Sequence, residues 1–147
     1  MSAGSDSIRI LTVDDHPLFQ SGIAALLATQ PDMNLVAEAS TGREAIEQFR
    51  THKPDITLMD LQMPEMNGLE AMIGIRNEFP EARIIVLTTY TGDVQVLRAM
   101  QAGARAYLLK SLLDKELLET IRAVHAGKKT LSAEASYELA EHATMTP

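Results

Sequence analysis

Three acidic residues that follow apolar runs give this sequence its clearest chemical signal. Asp14 and Asp15 come directly after IRILTV, and Asp60 comes directly after DITLM. Carboxylates that share one crevice repel each other unless a cation or a proton lies between them. Mg²⁺ is usually held by a few carboxylates together with waters and phosphate oxygens. We therefore interpret Asp15 and Asp60 as direct ligands of a divalent ion, with Asp14 bound either directly or through water.

Two further polar residues, Thr88 and Lys110, stand at the ends of later apolar runs. Carboxylates can act as nucleophiles in phosphoryl transfer and form an aspartyl phosphate, while a metal ion neutralises the developing charge. Asp60 follows the central run and is the predicted acceptor. Lys110 would offer a positive charge to one phosphoryl oxygen, and Thr88 would offer its hydroxyl to another.

All of these residues can meet only if the strands that carry them run in the same direction. The sequence alternates strand-like and helix-like segments, which predicts an α/β fold with a parallel sheet and helices on both faces. The predicted strands are residues 8–13, 34–39, 55–59, 83–88 and 105–109. The predicted helices are residues 17–30, 42–52, 69–78, 92–102 and 114–126. In such a sheet the functional crevice lies outside the carboxyl ends of the strands, where the acids, Thr88 and Lys110 all fall.

Boundary residues support these helices. Pro17 suits a first helical position, Gly103 and Gly127 suit helix ends, and Asp114 is expected to cap a helix.

Bulk composition limits the functions that this chain can have. Its 147 residues fit one domain, and 13 basic against 20 acidic residues give a formal charge of -7. We therefore expect this segment to bind no nucleic acid. The absence of cysteine excludes disulfides and thiolate sites. No run is long enough to span a membrane, and residues 1–7 resemble no leader, so we interpret the protein as cytoplasmic with a flexible N-terminus.

The motifs VDDHPLF, LMDLQMPEMNGLEAM, VLTTY and GARAYLLKS resemble the receiver domain of two-component response regulators over residues 8–127. The DDHPLF opening, followed by GIAALL, is similar to the NarL/FixJ subfamily. The resemblance implies a flavodoxin-like, doubly wound, five-stranded sheet of order 2-1-3-4-5. It also implies a signalling domain rather than an enzyme, one that assists its own phosphorylation and dephosphorylation.

The family resemblance also assigns roles to individual residues. It implies Mg²⁺, replaceable by Mn²⁺, at Asp14, Asp15 and Asp60, with the backbone carbonyl of Gln62 as a further ligand. Phosphoryl transfer to Asp60 would come from the phosphohistidine of a sensor histidine kinase. Thr88 and Tyr107 would form the switch, in which Tyr107 fills the space that Thr88 vacates on moving toward the phosphate. Homodimerisation on phosphorylation is compatible with the same resemblance.

Each assignment has an alternative. Asp15 before His16 and Pro17 can simply start a helix, and Asp60 can simply start a turn. Taken singly, Thr88 can be an ordinary strand threonine, Lys110 a surface lysine and Tyr107 a packed strand aromatic. We interpret His16 as a solvated neighbour of the acids rather than a metal ligand. From its size and place, Tyr90 is predicted to screen the acyl phosphate from water.

Other functions on the same scaffold fit less well. A flavin-binding protein needs a phosphate cradle where this chain has acids, and an aspartyl-phosphate phosphatase usually has a second acid where this chain has Gln62. The main alternative is a phosphorylation-independent interaction module on a receiver scaffold, which would be expected to lack some of the site residues.

The C-terminal residues 128–147 are predicted to form a short helix that starts near Ser132, and then a linker. NarL/FixJ regulators continue from such a linker into a LuxR-type helix-turn-helix domain that binds DNA. The sequence therefore resembles a receiver that ends before its transcriptional output domain, and the alternative is a naturally single-domain regulator.

Overall fold

Strands and helices alternate along the computed structural model, which describes residues 7–63, 66–89, 94–127 and 130–131. The strands are β1 (Ile8–Val13), β2 (Met33–Ala39), β3 (Ile56–Asp60), β4 (Ile84–Thr88), β5 (Ala106–Leu109) and β6 (Thr130–Leu131). The helices are α1 (Pro17–Ala28), α2 (Gly42–His52), α3 (Gly68–Glu78), α4 (Val94–Gln101) and α5 (Leu113–His125). A single 3-10 turn, Lys110–Leu112, joins β5 to α5.

The sheet is parallel throughout and has the strand order β2-β1-β3-β4-β5-β6. The predicted flavodoxin-like order 2-1-3-4-5 is therefore confirmed. The prediction of only five strands was incomplete, since Thr130–Leu131 pair with Ala106 and Tyr107 of β5. Two residues carry too little pattern to be recognised as a strand without the neighbour that they pair with.

Apolar side chains of the sheet alternate between two hydrophobic layers. Ile10 of β1 and Leu58 of β3 pack on one face with residues of α1 and α5. Their neighbours Leu11 and Met59 pack on the other face with residues of α2, α3 and α4. Because successive strand residues point to opposite faces, strands covered on both sides must be largely apolar, and the residues of β1 and β3 are mostly Ile, Leu, Val and Met.

Several helices begin and end at the residues that the sequence indicated. Pro17 occupies the first turn of α1, and Gly103 and Gly127 both have positive φ, at 109° and 93°. Asp114 does not cap α5 as predicted, because the 3-10 turn leads into the helix and puts Leu112 at the cap position. Asp114 instead lies in the first turn, where a negative charge still favours the helix dipole.

The predicted element boundaries agree with the structure for β1 and α2, and differ by one or two residues elsewhere. The predicted flexible N-terminus falls almost wholly, and the helix near Ser132 wholly, outside the described residues. None of the helices in the described ranges combines the length and the apolar character that a membrane span needs.

Candidate functional site

The three predicted acids lie together at the carboxyl edge of the sheet. Asp14 and Asp15 follow β1, and Asp60 is the last residue of the adjacent β3 rather than the residue after it. Asp14 and Asp60 are each 1% exposed, whereas Asp15 is partly exposed. One ligand atom from each acid and one from His16 all lie within 4.8 Å of one another. The parallel pairing of β1 with β3 is what brings these carboxyl groups together.

Backbone and side-chain hydrogen bonds fix the loop after β1. The Asp14 amide donates to the carbonyl of Ala39, and its Oδ1 accepts from the His16 amide at 2.8 Å. The Gln20 amide group on α1 donates to the carbonyls of Asp14 at 2.9 Å and Ala39 at 2.7 Å, and its Oε1 accepts from the hydroxyl of Thr12. Gln20 therefore positions the acid loop.

Gln20 was missed from the sequence, although one signal was available. It is a polar residue on the otherwise apolar buried face of α1, and buried polar groups are retained where they are hydrogen-bonded.

The loop after β3 holds Asp60 at close quarters. Oδ1 of Asp60 accepts a hydrogen bond from the Gln62 amide at 3.1 Å, and the Gly68 amide donates to the carbonyl of Leu61. A Cβ at Gly68 would lie 2.0 Å from the Asp60 carbonyl oxygen, so only glycine allows this approach. The Gln62 side chain accepts from the hydroxyl of Thr89 at 3.2 Å. The role of the Gln62 carbonyl as a metal ligand stays a prediction.

Lys110 bridges the two most buried acids. Its Nζ lies 2.8 Å from Oδ2 of Asp14, with a hydrogen bond, and 3.4 Å from Oδ2 of Asp60, at ion-pair distance only. The same Nζ lies 4.4 Å from the ring centroid of Phe19, where a cation–π contact is favourable. Phe19 was not assigned a role from the sequence. In this state the ammonium group offsets only part of the negative charge of the acid cluster.

Burial raises the pKa of the Asp60 carboxyl above its ordinary value, and the nearby charge of Asp14 acts in the same direction. The Gln62 amide and the Lys110 ammonium oppose this shift without cancelling it. Oδ2 of Asp60 and Oδ1 of Asp15 are buried and accept no hydrogen bond. Two unsatisfied carboxylate oxygens beside a third acid are a donor set that fits a hard divalent cation such as Mg²⁺.

Thr88 and Tyr107 lie on the two strands beyond β3. Thr88 ends β4 and is fully buried next to the pair formed by Asp60 and Leu87. Tyr107 is 1% exposed and packs in the hydrophobic layer under α2, α3 and α4. The structure therefore shows the inward arrangement of Tyr107 only. Tyr90, the predicted water screen, lies outside the described residues.

His16 extends the acid cluster more than the sequence suggested. Its side chain is 65% exposed, as predicted, yet Nδ1 lies 2.9 Å from Oδ1 of Asp14 and 3.1 Å from Oδ1 of Asp15. The ring is therefore part of the cluster and not only its neighbour.

An open groove of about 1050 Å³ leads from solvent to the site. Its walls come mainly from apolar residues of α1 and the start of α5, among them the exposed Leu18 and the partly buried Phe19. Lys110 lines the same groove. The groove thus places a largely apolar wall next to Lys110, the residue that contacts Asp14 and Asp60.

Comparisons with known proteins identify a family model and relatives that match most of this chain. The family model of the response regulator receiver domain matches residues 10–122. The transcriptional regulatory protein YhcZ of Bacillus subtilis is 45% identical over 125 residues, which cover 85% of this chain and 58% of that protein. The response regulator protein VraR of Staphylococcus aureus is 37% identical over 128 residues, which cover 87% and 61%. This chain thus spans about three fifths of the length of these curated relatives.

Solved structures give the same result. A two-component response regulator of the LuxR family from Aurantimonas sp. SI85-9A1 has a TM-score of 0.88 and 38% identity, with 94% of this chain and 99% of that chain covered. The signal receiver domain of NarL from Mycobacterium tuberculosis has a TM-score of 0.72 and 32% identity, with coverage of 83% and 96%.

Proposed function

Because the chain belongs to the response regulator receiver domain family, we propose that it is a Mg²⁺-dependent phosphoacceptor that takes a phosphoryl group onto Asp60. The observation that supports this most directly is the Asp60 carboxylate itself. Its Oδ2 is buried, accepts no hydrogen bond, and lies at the carboxyl edge of the central strand beside Lys110. This oxygen has an ion-pair contact with Lys110 but no hydrogen bond, so it can still bind a cation or a phosphoryl group.

In the proposed transfer, Oδ2 of Asp60 attacks the phosphorus atom of a phosphohistidine on a sensor kinase. The new O–P bond forms as the P–N bond breaks, and the histidine nitrogen keeps the electron pair. Lys110, whose Nζ lies 3.4 Å from Oδ2 of Asp60, would then exchange this contact for one with a phosphoryl oxygen. Thr88, on the neighbouring strand, offers its hydroxyl to a second oxygen.

Asp14, Asp15 and Asp60 would hold Mg²⁺, with the Gln62 carbonyl as a further ligand. When bound, the ion offsets the repulsion between the acids and the incoming phosphoryl group. Gln20 holds the loop of Asp14 in place through its bonds to the Asp14 and Ala39 carbonyls. The groove beside α1, which His16 and Lys110 line, would receive part of the kinase.

We propose that the phosphate is read at the face formed by α4, β5 and α5, after a shift of Thr88 and Tyr107. The relatives are transcriptional regulators, and an output domain that binds DNA would receive this change in the whole protein. A homodimer formed on phosphorylation would be a second readout. We expect the exchange to take place in the cytoplasm, as it does in response regulators generally.

Intact mass spectrometry after incubation with acetyl phosphate and Mg²⁺ tests the central claim. We expect the native chain and the control Asp32→Asn to gain one phosphoryl group, since Asp32 lies on the opposite edge. Asp60→Asn should gain none, and EDTA should abolish the gain in every chain. Equal labelling of native chain and Asp60→Asn, or no labelling of the native chain, would contradict the proposal and favour a phosphorylation-independent interaction module.

A further inference from the structure

His16 lies at the N-cap position of α1 but does not cap the helix with its side chain. It is the residue before the first turn of α1, yet its side chain makes no capping hydrogen bond. The imidazole turns back instead, with Nδ1 at 2.9 Å from Oδ1 of Asp14 and 3.1 Å from Oδ1 of Asp15. The ring edge therefore faces two of the three acids that we propose as metal ligands.

The backbone fixes this arrangement. The His16 amide donates to Oδ1 of Asp14 at 2.8 Å, which ties the two residues into a tight turn. Pro17 follows with its restricted φ and starts the helix. Since both ends of the turn are fixed, the imidazole stays close to the acids, with one ring nitrogen in the group of ligand atoms that lie within 4.8 Å of one another.

The distances between the ligand atoms of the cluster are only slightly longer than those around a bound metal ion. Two ligands at about 2.1 Å from one ion lie at most about 4.2 Å apart. The ligand atoms of Asp14, Asp15, His16 and Asp60 already lie within 4.8 Å of one another.

Charge and hydrogen bonding also favour an ion at this place. Lys110 contributes one positive charge against three carboxylates. Oδ1 of Asp15 and Oδ2 of Asp60 are buried without a hydrogen bond. A divalent ion would satisfy both oxygens and balance the remaining charge.

We propose that His16 is a nitrogen ligand of this site, which gives the chain a preference for Co²⁺, Ni²⁺ and Zn²⁺ over Mg²⁺ beyond that of a carboxylate-only site. The inference rests on the proposed function, because it uses the same acids, and it names which ions that site selects. Imidazole suits late first-row ions, whereas Mg²⁺ is bound mainly by oxygen. His16 would bind through unprotonated Nδ1, the atom that faces Asp14 and Asp15.

A purely structural role for His16 makes a different prediction. If Nδ1 only donates a hydrogen bond to Asp14, the ring orients an oxygen ligand that every divalent ion uses. Loss of the ring would then weaken Mg²⁺ and Co²⁺ by the same factor. The ratio of the two affinities therefore separates ligation from positioning.

Isothermal titration of the native chain and the His16→Asn variant with Mg²⁺ and with Co²⁺ measures this ratio. Partners of metal ligands alone commonly contribute 10 to 100-fold in affinity, so we expect His16→Asn to weaken Co²⁺ binding about tenfold or more. Mg²⁺ binding should fall much less. His125→Asn is the matched control, since this exposed histidine ends α5, and its carbonyl accepts from Arg83 just before β4, at the amino edge.

Pulsed electron paramagnetic resonance gives a readout that positioning cannot produce. In the Mn²⁺-loaded protein with ¹⁵N-labelled histidine, a directly bound imidazole nitrogen should couple to the electron spin, and His16→Asn should remove that coupling. Absence of coupling in the native chain, or an unchanged ratio of Co²⁺ to Mg²⁺ affinity in His16→Asn, would overturn the inference. Acetyl phosphate labelling of the native chain in Mg²⁺ would still test the proposed function separately.

Discussion

The two edges of the sheet differ in how their charged residues are buried and hydrogen-bonded. At the carboxyl edge, Asp14 and Asp60 are buried beside the partly buried Lys110, and Oδ2 of Asp60 accepts no hydrogen bond. At the amino edge, the Arg9 amide donates to Oδ2 of Asp55 at 2.9 Å, and the Arg83 side chain donates to the carbonyl of His125 at 2.7 Å. The carboxyl edge thus keeps a buried carboxylate oxygen without a hydrogen bond, whereas polar groups at the amino edge connect strands and helices through hydrogen bonds.

The pKa values of two aspartates, one at each edge, shift in opposite directions. The hydrogen bond from Arg122 lowers the pKa of Asp32, which lies just before β2 and is exposed to solvent. Burial raises the pKa of Asp60. A carboxylate whose ionisation is favoured stabilises the fold, whereas one whose ionisation is opposed is available for binding a cation or a phosphoryl group.

The largest expected effect concerns glycines at the two edges. In Gly68→Ala the new Cβ would lie 2.0 Å from the Asp60 carbonyl, which cannot move without displacing β3. We expect the free energy of unfolding to fall by about 3 kcal/mol or more. Gly127→Ala has open space around the new Cβ but keeps a φ of 93°, so a loss of about 1 kcal/mol is expected. Urea denaturation measures both, and equal losses would show that the carboxyl edge is no tighter than the amino edge.

The next effect compares two cations. Lys110→Met leaves Asp14 and Asp60 buried without a counter-charge, and we expect a loss of about 2 kcal/mol with chelator present. This is less than a fully buried pair would lose, because the Lys110 side chain is 12% exposed. Arg122→Met removes a pair whose members are each 43% exposed, so solvent screening limits the loss to about 0.5 kcal/mol.

Thermal denaturation of the two variants checks this difference. We compare each variant with the native chain at the same Mg²⁺ concentration. Added Mg²⁺ should reduce the loss of stability in Lys110→Met and leave the loss in Arg122→Met unchanged. The same loss in both variants, or recovery in both, would contradict the contrast between the edges.

The smallest expected effect is on how stability depends on pH, which should change in opposite directions in Asp60→Asn and Asp32→Asn. Because the pKa of Asp60 is raised, its ionised form destabilises the metal-free fold at neutral pH, and Asp60→Asn should be more stable than the native chain. The gain should shrink as the pH falls through the raised pKa of Asp60 and vanish well below about 4, the ordinary pKa of aspartate, where this carboxyl is protonated in both the folded and the unfolded state.

Asp32→Asn should behave in the opposite way at neutral pH. Since the pKa of Asp32 is lowered, its carboxylate stabilises the fold above the unfolded pKa, and this contribution is lost as the pH falls through the folded pKa. Exposure limits the loss in the variant to less than about 1 kcal/mol at pH 7. Denaturation midpoints with EDTA at pH 7 and in acid give both signs, and a destabilised Asp60→Asn would refute the first.

Much of the fold could be predicted because the hydrophobic pattern is local. Continuous apolar runs predicted β1 with the bounds Ile8–Val13, and an amphipathic pattern predicted α2 with the bounds Gly42–His52. The pair Thr130–Leu131 is too short to show a pattern and depends on pairing with β5. Asp114 was misjudged because the 3-10 turn before α5 is set by how β5 joins that helix.

The site was predicted less completely than the fold. Asp14, Asp15, Asp60, Thr88 and Lys110 could be placed at one edge because parallel strands end on the same side. Gln20 and Phe19 could not be assigned, because a helix residue reveals its partner only when the helix is packed against the sheet.

The sequence by itself determined the order of strands and helices and which chemical groups stand at the strand ends, since both depend on local pattern and residue type. Only the tertiary structure decided how those groups share their charges. It pairs Lys110 with Asp14 more closely than with Asp60, turns His16 toward two acids, and leaves Oδ2 of Asp60 without a hydrogen bond. Distances of a few ångströms in a buried site set these interactions, and they arise only when β1, β3, β5 and α1 are packed together.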